Sequence, residues 1–414
     1  MKRVLLFLLV IGIGGLWTCT TDNDVVFPAL QPPLVGITDV AEANKPIMDG
    51  VYTVTNGIER FGFEVVVKWT GKRLSIFSLT NYAILQCGYK DSVVYMRGYW
   101  RVPTSDGTGL IDMVILKVEG AREIVKGAPT TSIVIRGKYG NQNGLPDINV
   151  TFRYKRPFSS KVTGQDFYII GHRAGGRTSD RLPVSENSIP MIKHTGSLGS
   201  NGIEIDIRLT KDKVPVLYHD PDINIRLTVK GPLNGPIGNF TLNQLSAFVR
   251  LIRGEKIPTL DEALRYVVDS TNLKFVWLDM KDEDPDLVKY VLPVQIAAIT
   301  RAQAAGRNVE FLMGIPSKEL FDALKATPGY QLVPSLCEIS PETTRELGSK
   351  AWAPRWTLGT QNSAVTSMQV EGRRVYTWTI DLPAYIRQFI NEGKFNGFLS
   401  NYPSHVAYFF YIQE

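Results

Sequence analysis

Glu204 and Asp206 stand two residues apart in Gly202-Ile203-Glu204-Ile205-Asp206-Ile207, a segment that reads as a β-strand, so both carboxylates project from one face. Two adjacent acids turned inward repel each other and are costly to bury unless a cation or proton compensates. Asp279 and Lys281 repeat the spacing on a later strand, Trp277-Leu278-Asp279-Met280-Lys281. Three carboxylates and water form a hard, oxygen-rich set that suits Mg2+ or Ca2+ better than Zn2+. Of the four histidines, His172 closes a candidate strand and precedes Arg173, while His219 precedes Asp220. Two imidazoles near a metal, with Arg173 and Lys281 as fixed cations, make a kit for cleaving a phosphodiester: a base, an acid and charges for the phosphoryl oxygens. His194, in an amphipathic stretch, and His405, in a polar tail, read as solvated or structural.

These groups need a scaffold, and from about residue 165 the chain alternates candidate strands with helical stretches. Alternation over about 250 residues predicts a parallel α/β domain of a size that suits a (β/α)8 TIM barrel, residues 165–414, whose strand ends carry the site. Nine candidate strands are one too many. Only Thr210 to Lys213 separate Leu209 from Val214, too few for a parallel crossover, so Val214 to His219 must return antiparallel as a hairpin arm. A turn centred between Asp212 and Lys213 places His219 opposite Asp206. Before this domain, residues 46–158 show seven short β-rich runs punctuated by Gly, Asn and Asp, with no amphipathic helix between them; they predict an all-β sandwich or barrel of seven or eight strands.

The 414 residues hold 44% hydrophobic and 21% charged residues, which excludes a disordered chain or a polytopic membrane protein. Lys and Arg exceed Asp and Glu by 46 to 40 without a basic run, so no nucleic-acid partner is expected. Nothing in the sequence sets an oligomeric state. Met1-Lys2-Arg3 precedes an uncharged stretch, Val4 to Trp17, too short to span a bilayer but fitting a secretory signal. Leu16-Trp17-Thr18-Cys19 is similar to a bacterial lipoprotein box. The expectation is a signal peptide over residues 1–18, acylation of Cys19, a linker over residues 19–45 and an exported protein held at a membrane, on the periplasmic side or the cell surface. Cys87 and Cys337 read as buried thiols.

Several linked motifs resemble the glycerophosphodiester phosphodiesterase family: Gly171-His172-Arg173-Ala174-Gly175-Gly176, Glu186-Asn187-Ser188, the Glu204/Asp206 strand, Leu209-Thr210-Lys211-Asp212, Pro215-Val216-Leu217-Tyr218-His219-Asp220, Ile257-Pro258-Thr259-Leu260-Asp261-Glu262-Ala263-Leu264 and Tyr376-Thr377-Trp378-Thr379. They span about residues 167–403 and leave the β-rich domain uncovered. The resemblance implies a (β/α)8 barrel, a divalent cation on Glu204, Asp206 and Asp279, His172 and His219 as the acid and base pair, and Arg173 and Lys281 on the phosphate. Its substrate would be a small phosphodiester, opened through a cyclic phosphate. Glu186 and Asn187 either support the centre or start a helix capped by Ser185, and Trp378 either lines the mouth or plugs the barrel. Two positions depart from the pattern: Asp279 where Glu is common, as in the sphingomyelinase D-like barrels, and Ser400-Asn401-Tyr402-Pro403 in place of Thr-Asp-Tyr-Pro, which removes an outer-rim acid. The alternatives are phospholipase D-like action on lysolipids and a surface-binding lipoprotein without catalysis.

Overall fold

The structure, a computed structural model, describes residues 24–281 and 284–414; the expected signal peptide and Cys19 lie outside the described residues. The β-rich part begins with β1 (Thr38–Asp39), β2 (Gly50–Asn56), β3 (Glu64–Thr70), β4 (Arg73–Phe77) and β5 (Tyr82–Lys90). It continues with β6 (Val93–Arg101), β7 (Thr108–Ile115), β8 (Val134–Tyr139) and β9 (Ile148–Arg156). Every pairing is antiparallel, β2 meets both β3 and β9, and β5 meets β6, so the sheet closes into an up-and-down barrel. Closure leaves β2 to β9 without a free edge and decides between sandwich and barrel. Side chains fill the interior, among them Trp100, Phe61 and Phe152. Two short helices, α1 (Ile58–Phe61) and α2 (Ala121–Lys126), correct the expectation that no helix interrupts the series. Both start and end at glycines, so local turn chemistry outweighed the β-rich composition.

The second sheet comprises β10 (Tyr168–Gly171), β11 (Gly202–Leu209), β12 (Pro215–Leu217), β15 (Phe275–Met280), β16 (Glu310–Ile315) and β17 (Ser335–Cys337), then β18 (Ala351–Trp352), β19 (Arg374–Thr377) and β20 (Gly397–Ser400). Between them a small hairpin, β13 (Asp222–Ile223) with β14 (Gly235–Pro236), lies outside this sheet. Apart from β12 the strands are parallel, and β10 pairs with both β20 and β11, closing an eight-stranded barrel. Its wall includes α4 (Ile189–Thr195), α6 (Leu260–Ser270), α7 (Asp286–Ala304), α8 (Lys318–Lys325), α9 (Pro341–Leu347), α10 (Asn362–Val370) and α11 (Pro383–Glu392). Tyr168, Phe275, Trp277, Leu312, Leu336 and Tyr376 pack inside and form the floor below the mouth. β17 starts only at Ser335, because Gly329, at φ 73°, caps a turn of 3-10 helix over Tyr330–Leu332.

β12 is the antiparallel arm, but its register differs by one from the expected pairing. Ile207 faces Leu217, so Tyr218, whose N–H donates to Asp206 O at 3.0 Å, takes the place expected for His219. The turn has three residues rather than two: Thr210 N–H donates to Val214 O, and Lys213 is left-handed at φ 60°. The Ile257–Leu264 motif serves this arm. Thr259 and Glu262 form a capping box at the start of α6, and Pro258 O accepts the Leu217 N–H at 2.9 Å.

The two barrels share one apolar interface. Val66, Phe77, Ile84 and Tyr99 of the first pack with Leu198 and with Val406, Ala407 and Phe410 of α12 (Pro403–Tyr411) of the second. Gly199, at φ 97°, lies at the closest approach, where an added Cβ would sit 2.6 Å from Ala407 Cβ and 3.1 Å from Phe77 Cζ. Gly199→Val is therefore expected to cost about 2–4 kcal/mol through overpacking and backbone strain, measured by denaturant unfolding. Gly196→Ala, whose Cβ meets nothing within 4 Å, is the control. His405 belongs to this interface: it is buried, and burial lowers its imidazole to about 4, so the expectation of a polar tail is corrected to an apolar helix.

Candidate functional site

β11 and β15 run in register with Asp206 beside Asp279, so the carboxylates meet across adjacent strands at one level of the barrel. One oxygen from each of Glu204, Asp206 and Asp279 lies within 4.8 Å of the others. Burial and the repulsion of Asp206 and Asp279 push Glu204 well above the usual carboxylate range. Burial would also raise Asp206, but Lys281, His219 and Arg173 outweigh it and hold that acid low. Lys281 bridges the cluster, with Nζ 3.0 Å from Asp206 Oδ1 and in contact with Asp279. Glu204 Oε1 is buried and accepts no hydrogen bond from the described residues. An unsatisfied carboxylate oxygen among all-oxygen donors fits a hard divalent cation, with Glu204, Asp206 and Asp279 as its protein ligands.

Around this cluster the first βα loop turns sharply. Arg173 and Ala174 are left-handed, at φ 52° and 72°, and Gly175 follows at φ 145°. The turn aims Arg173 N–H at Glu204 Oε2, 2.7 Å away. Its guanidinium donates to Glu186 Oε1 at 2.8 Å and contacts His219 Nε2 at 2.8 Å. Glu186 and Asn187 are thus both in the centre: Asn187 Nδ2 donates to Asp206 Oδ2 at 2.5 Å and its Oδ1 accepts the Asp206 N–H at 3.1 Å. The helix cap falls later than expected, at Ser188, whose Oγ accepts the Met191 N–H, while Ser185 bonds Glu255.

Each histidine has a partner behind it. His219 Nδ1 lies 2.7 Å from Asp220 Oδ1, and Arg208 donates twice to His219 O, fixing the end of the arm. His172 Nδ1 lies 2.6 Å from Asn401 Oδ1, and Asn401 Nδ2 in turn donates to Asp381 Oδ2 at 2.6 Å. Because the Asn401 amide donates to Asp381, its oxygen faces the imidazole, so His172 carries its proton on Nδ1 and presents the Nε2 lone pair, 3.8 Å from Glu204. Burial, then Arg173, lowers His172 to about 3, which keeps it neutral. Asp381 corrects the expectation of a missing acid: the carboxylate absent at Asn401 stands one hydrogen bond away.

Two acids of the mouth were not anticipated. Asp381 lies three residues beyond Trp378, past the end of β19. Glu338 follows β17; burial and the repulsion of Asp279 push its carboxyl well up, and its Oε1 accepts no hydrogen bond. Position just after a barrel strand was the available signal for both. Trp378 is half-buried: one side packs on the inner floor, Nε1 donates to Ala353 O at 2.8 Å, and the Arg355 guanidinium lies 4.6 Å from the ring. It closes the floor and borders the mouth. His194 and His405 stand apart from this centre, and Cys87 and Cys337 are buried free thiols.

A closed parallel barrel with carboxylates, imidazoles and fixed cations at its strand ends defines the class: a TIM barrel with an acid–histidine centre. Within it, the chain belongs to the glycerophosphoryl diester phosphodiesterase family, whose model matches residues 172–405. It is 35% identical over 107 residues to a glycerophosphodiester phosphodiesterase of Caldanaerobacter subterraneus, covering 24% of this chain and 40% of that one. A human glycerophosphocholine phosphodiesterase is 33% identical over 87 residues, 18% of this chain and 13% of the relative. The chain spans less than half the length of these curated relatives. A crystal structure of a glycerophosphodiester phosphodiesterase from Parabacteroides distasonis aligns over 58% of this chain and 95% of its own, at 23% identity and TM-score 0.47.

Proposed function

We propose that this protein hydrolyses glycerophosphodiesters to an alcohol and a glycerol phosphate. The observation that carries the reading is the cluster of three carboxylates flanked by two histidines, each with its Nδ1 on a partner; the Nε2 of His172 faces the cluster and that of His219 meets Arg173. Held by Glu204, Asp206 and Asp279, a Mg2+ or Ca2+ ion would polarise the phosphoryl oxygens and acidify the attacking hydroxyl. Arg173 and Lys281 bind the remaining phosphoryl charge. His172 Nε2 takes the proton of the substrate's own glycerol hydroxyl, whose oxygen forms the new P–O bond. As the P–O bond to the leaving alcohol breaks, His219 delivers a proton to that oxygen. Intramolecular attack is favoured because the nucleophile is already in place. Water then opens the cyclic phosphate with the two roles exchanged.

A panel of glycerophosphodiesters, assayed with the purified chain with and without chelator, tests this reading. The expected result is chelator-sensitive release of the alcohol with a transient cyclic phosphate. Release of free glycerol with retention of the alcohol phosphate would reverse the proposed polarity, and no turnover of any diester would leave a binding protein. The membrane anchor at Cys19 belongs to the same proposal, resting on the apolar run that precedes it.

A further inference from the structure

The first described residues lie at the catalytic end of the barrel. Val26 N–H donates to Arg181 O at 2.9 Å, and Arg181 Nε donates to Asp24 O at 2.8 Å. Arg101, buried on β6, donates to Val26 O at 3.0 Å and also holds Asp180 O. Arg181 and Asp180 belong to the loop that carries Arg173, Glu186 and Asn187. From there residues 24–34 run as a strap across the first barrel, with Leu34 bonded to Gln86. Cys19 stands five positions before Asp24 and follows the uncharged Val4–Trp17 run; five residues reach about 18 Å at most when extended.

The loops at this same end carry exposed apolar residues. Parallel strands place every βα loop on one face, and there Ile225 is 73% exposed, Leu358 63%, Leu382 57% and Ile339 42%. They sit on four different loops: Ile225 on the excursion between β11 and α6 that includes the β12 arm, and the others after β17, β18 and β19. Exposed Lys230 and Arg355 stand on these loops, as does exposed Asp222. Single exposed apolar residues also occur at the opposite end, Leu332 and Val370. What distinguishes the mouth is apolar tips on three neighbouring loops, after β17, β18 and β19, with a fourth on the β11 side of a polar site.

We propose that the catalytic mouth is a lipid-docking surface: these loop tips enter the interfacial region of an anionic bilayer, and the substrate is a phosphodiester lipid presented from that bilayer. The apolar tips supply burial and the cations supply attraction to anionic headgroups. Since the proposed nucleophile is a glycerol hydroxyl, the lipid must keep one free, as a monoacyl glycerophospholipid does. The substrate class rests on the hydrolase reading; the surface rests on the fold alone.

The test uses the full chain with Cys19→Ser and vesicles of phosphatidylethanolamine and phosphatidylglycerol. An environment-sensitive fluorophore is placed at Leu358→Cys or Leu382→Cys, with Val370→Cys as the control at the far end; Cys87 and Cys337 are buried. Vesicles should blue-shift the emission at 358 and 382 and leave it unchanged at 370. No shift at the mouth, or an equal shift at 370, overturns the surface. In a second arm, Leu358→Asp with Leu382→Asp should lower hydrolysis of vesicle-borne lysophospholipid at least tenfold while sparing a soluble glycerophosphodiester. Equal losses on both substrates overturn the role of docking. A parent chain that cleaves neither substrate refutes the hydrolase reading, while the fluorophores still decide the surface.

Discussion

Glu204→Ala and Asp206→Ala will each lower turnover by on the order of a thousandfold if the proposed cation site operates, because each removes a carboxylate that would hold the ion stabilising the transition-state charge. Stability should respond differently from activity. Glu204 is held above its ordinary value by burial and by Asp206, so the cation-free fold binds this proton more tightly than the unfolded chain. That contribution is fully present below the unfolded value of about 4.3 and is lost as pH rises through the folded one. Asp206 is held low, and its contribution works in the opposite sense below its ordinary range, so Glu204 is best read above about pH 4.5. Glu204→Gln should raise the cation-free Tm there, since the amide is neutral without the cost of taking up a proton on folding. Added Mg2+ or Ca2+ should raise the Tm of the parent and leave that of the variant nearly unchanged. Parent activity and Tm that both ignore chelator would show that the cluster does not hold a cation.

The centre was legible largely because its residues lie on or beside strands whose pattern is unambiguous. β11 occupies the expected Gly202–Leu209, and the two-residue spacing that puts Glu204 and Asp206 on one face needs no tertiary information. The hairpin arm followed from chain length alone, since four residues cannot make a crossover. Its register did not, because a three-residue turn with Lys213 left-handed carries no glycine to announce it. β5 carries no such mark in the sequence. Tyr82-Ala83-Ile84-Leu85 is buried on both faces, inside the barrel and against α12, so no alternation marks it. Asp381 and Glu338 escaped because a lone acid after a strand has no pattern. The pairing of β19 with β20 brings Asp381 to Asn401, 20 residues away, and the curvature of the sheet brings Glu338 towards Asp279. Likewise Asp24 to Leu34, with three prolines and no period, read as linker until long-range bonds to Arg181, Arg101 and Gln86 placed it.

Removing either imidazole should cost on the order of a hundredfold or more on a diester with an unactivated alcohol, and the two variants should then part on an activated one. Asp220 stands behind His219 Nδ1, so its carboxylate stabilises the imidazolium that a proton donor must carry. Arg173, which contacts His219 Nε2, is also the cation that a phosphoryl oxygen would engage; drawing it to the phosphate would free that nitrogen for the leaving alcohol. His172 is the opposite case. Burial and Arg173 hold it neutral, Asn401 accepts its Nδ1–H, and its lone pair faces the cluster, which suits a base acting on a hydroxyl already acidified. With nitrophenol as leaving group, protonation of the departing oxygen matters little, so His219→Ala should recover most of its rate. His172→Ala should not, since the nucleophile must still lose its proton. Asp381→Ala, which loosens the base through Asn401, should lose about tenfold in kcat and share the insensitivity of His172→Ala to the leaving group. Leaving-group series on all three variants decide the assignment: rescue of His172→Ala instead of His219→Ala would exchange the two roles, and equal small losses throughout would remove both imidazoles from the chemistry.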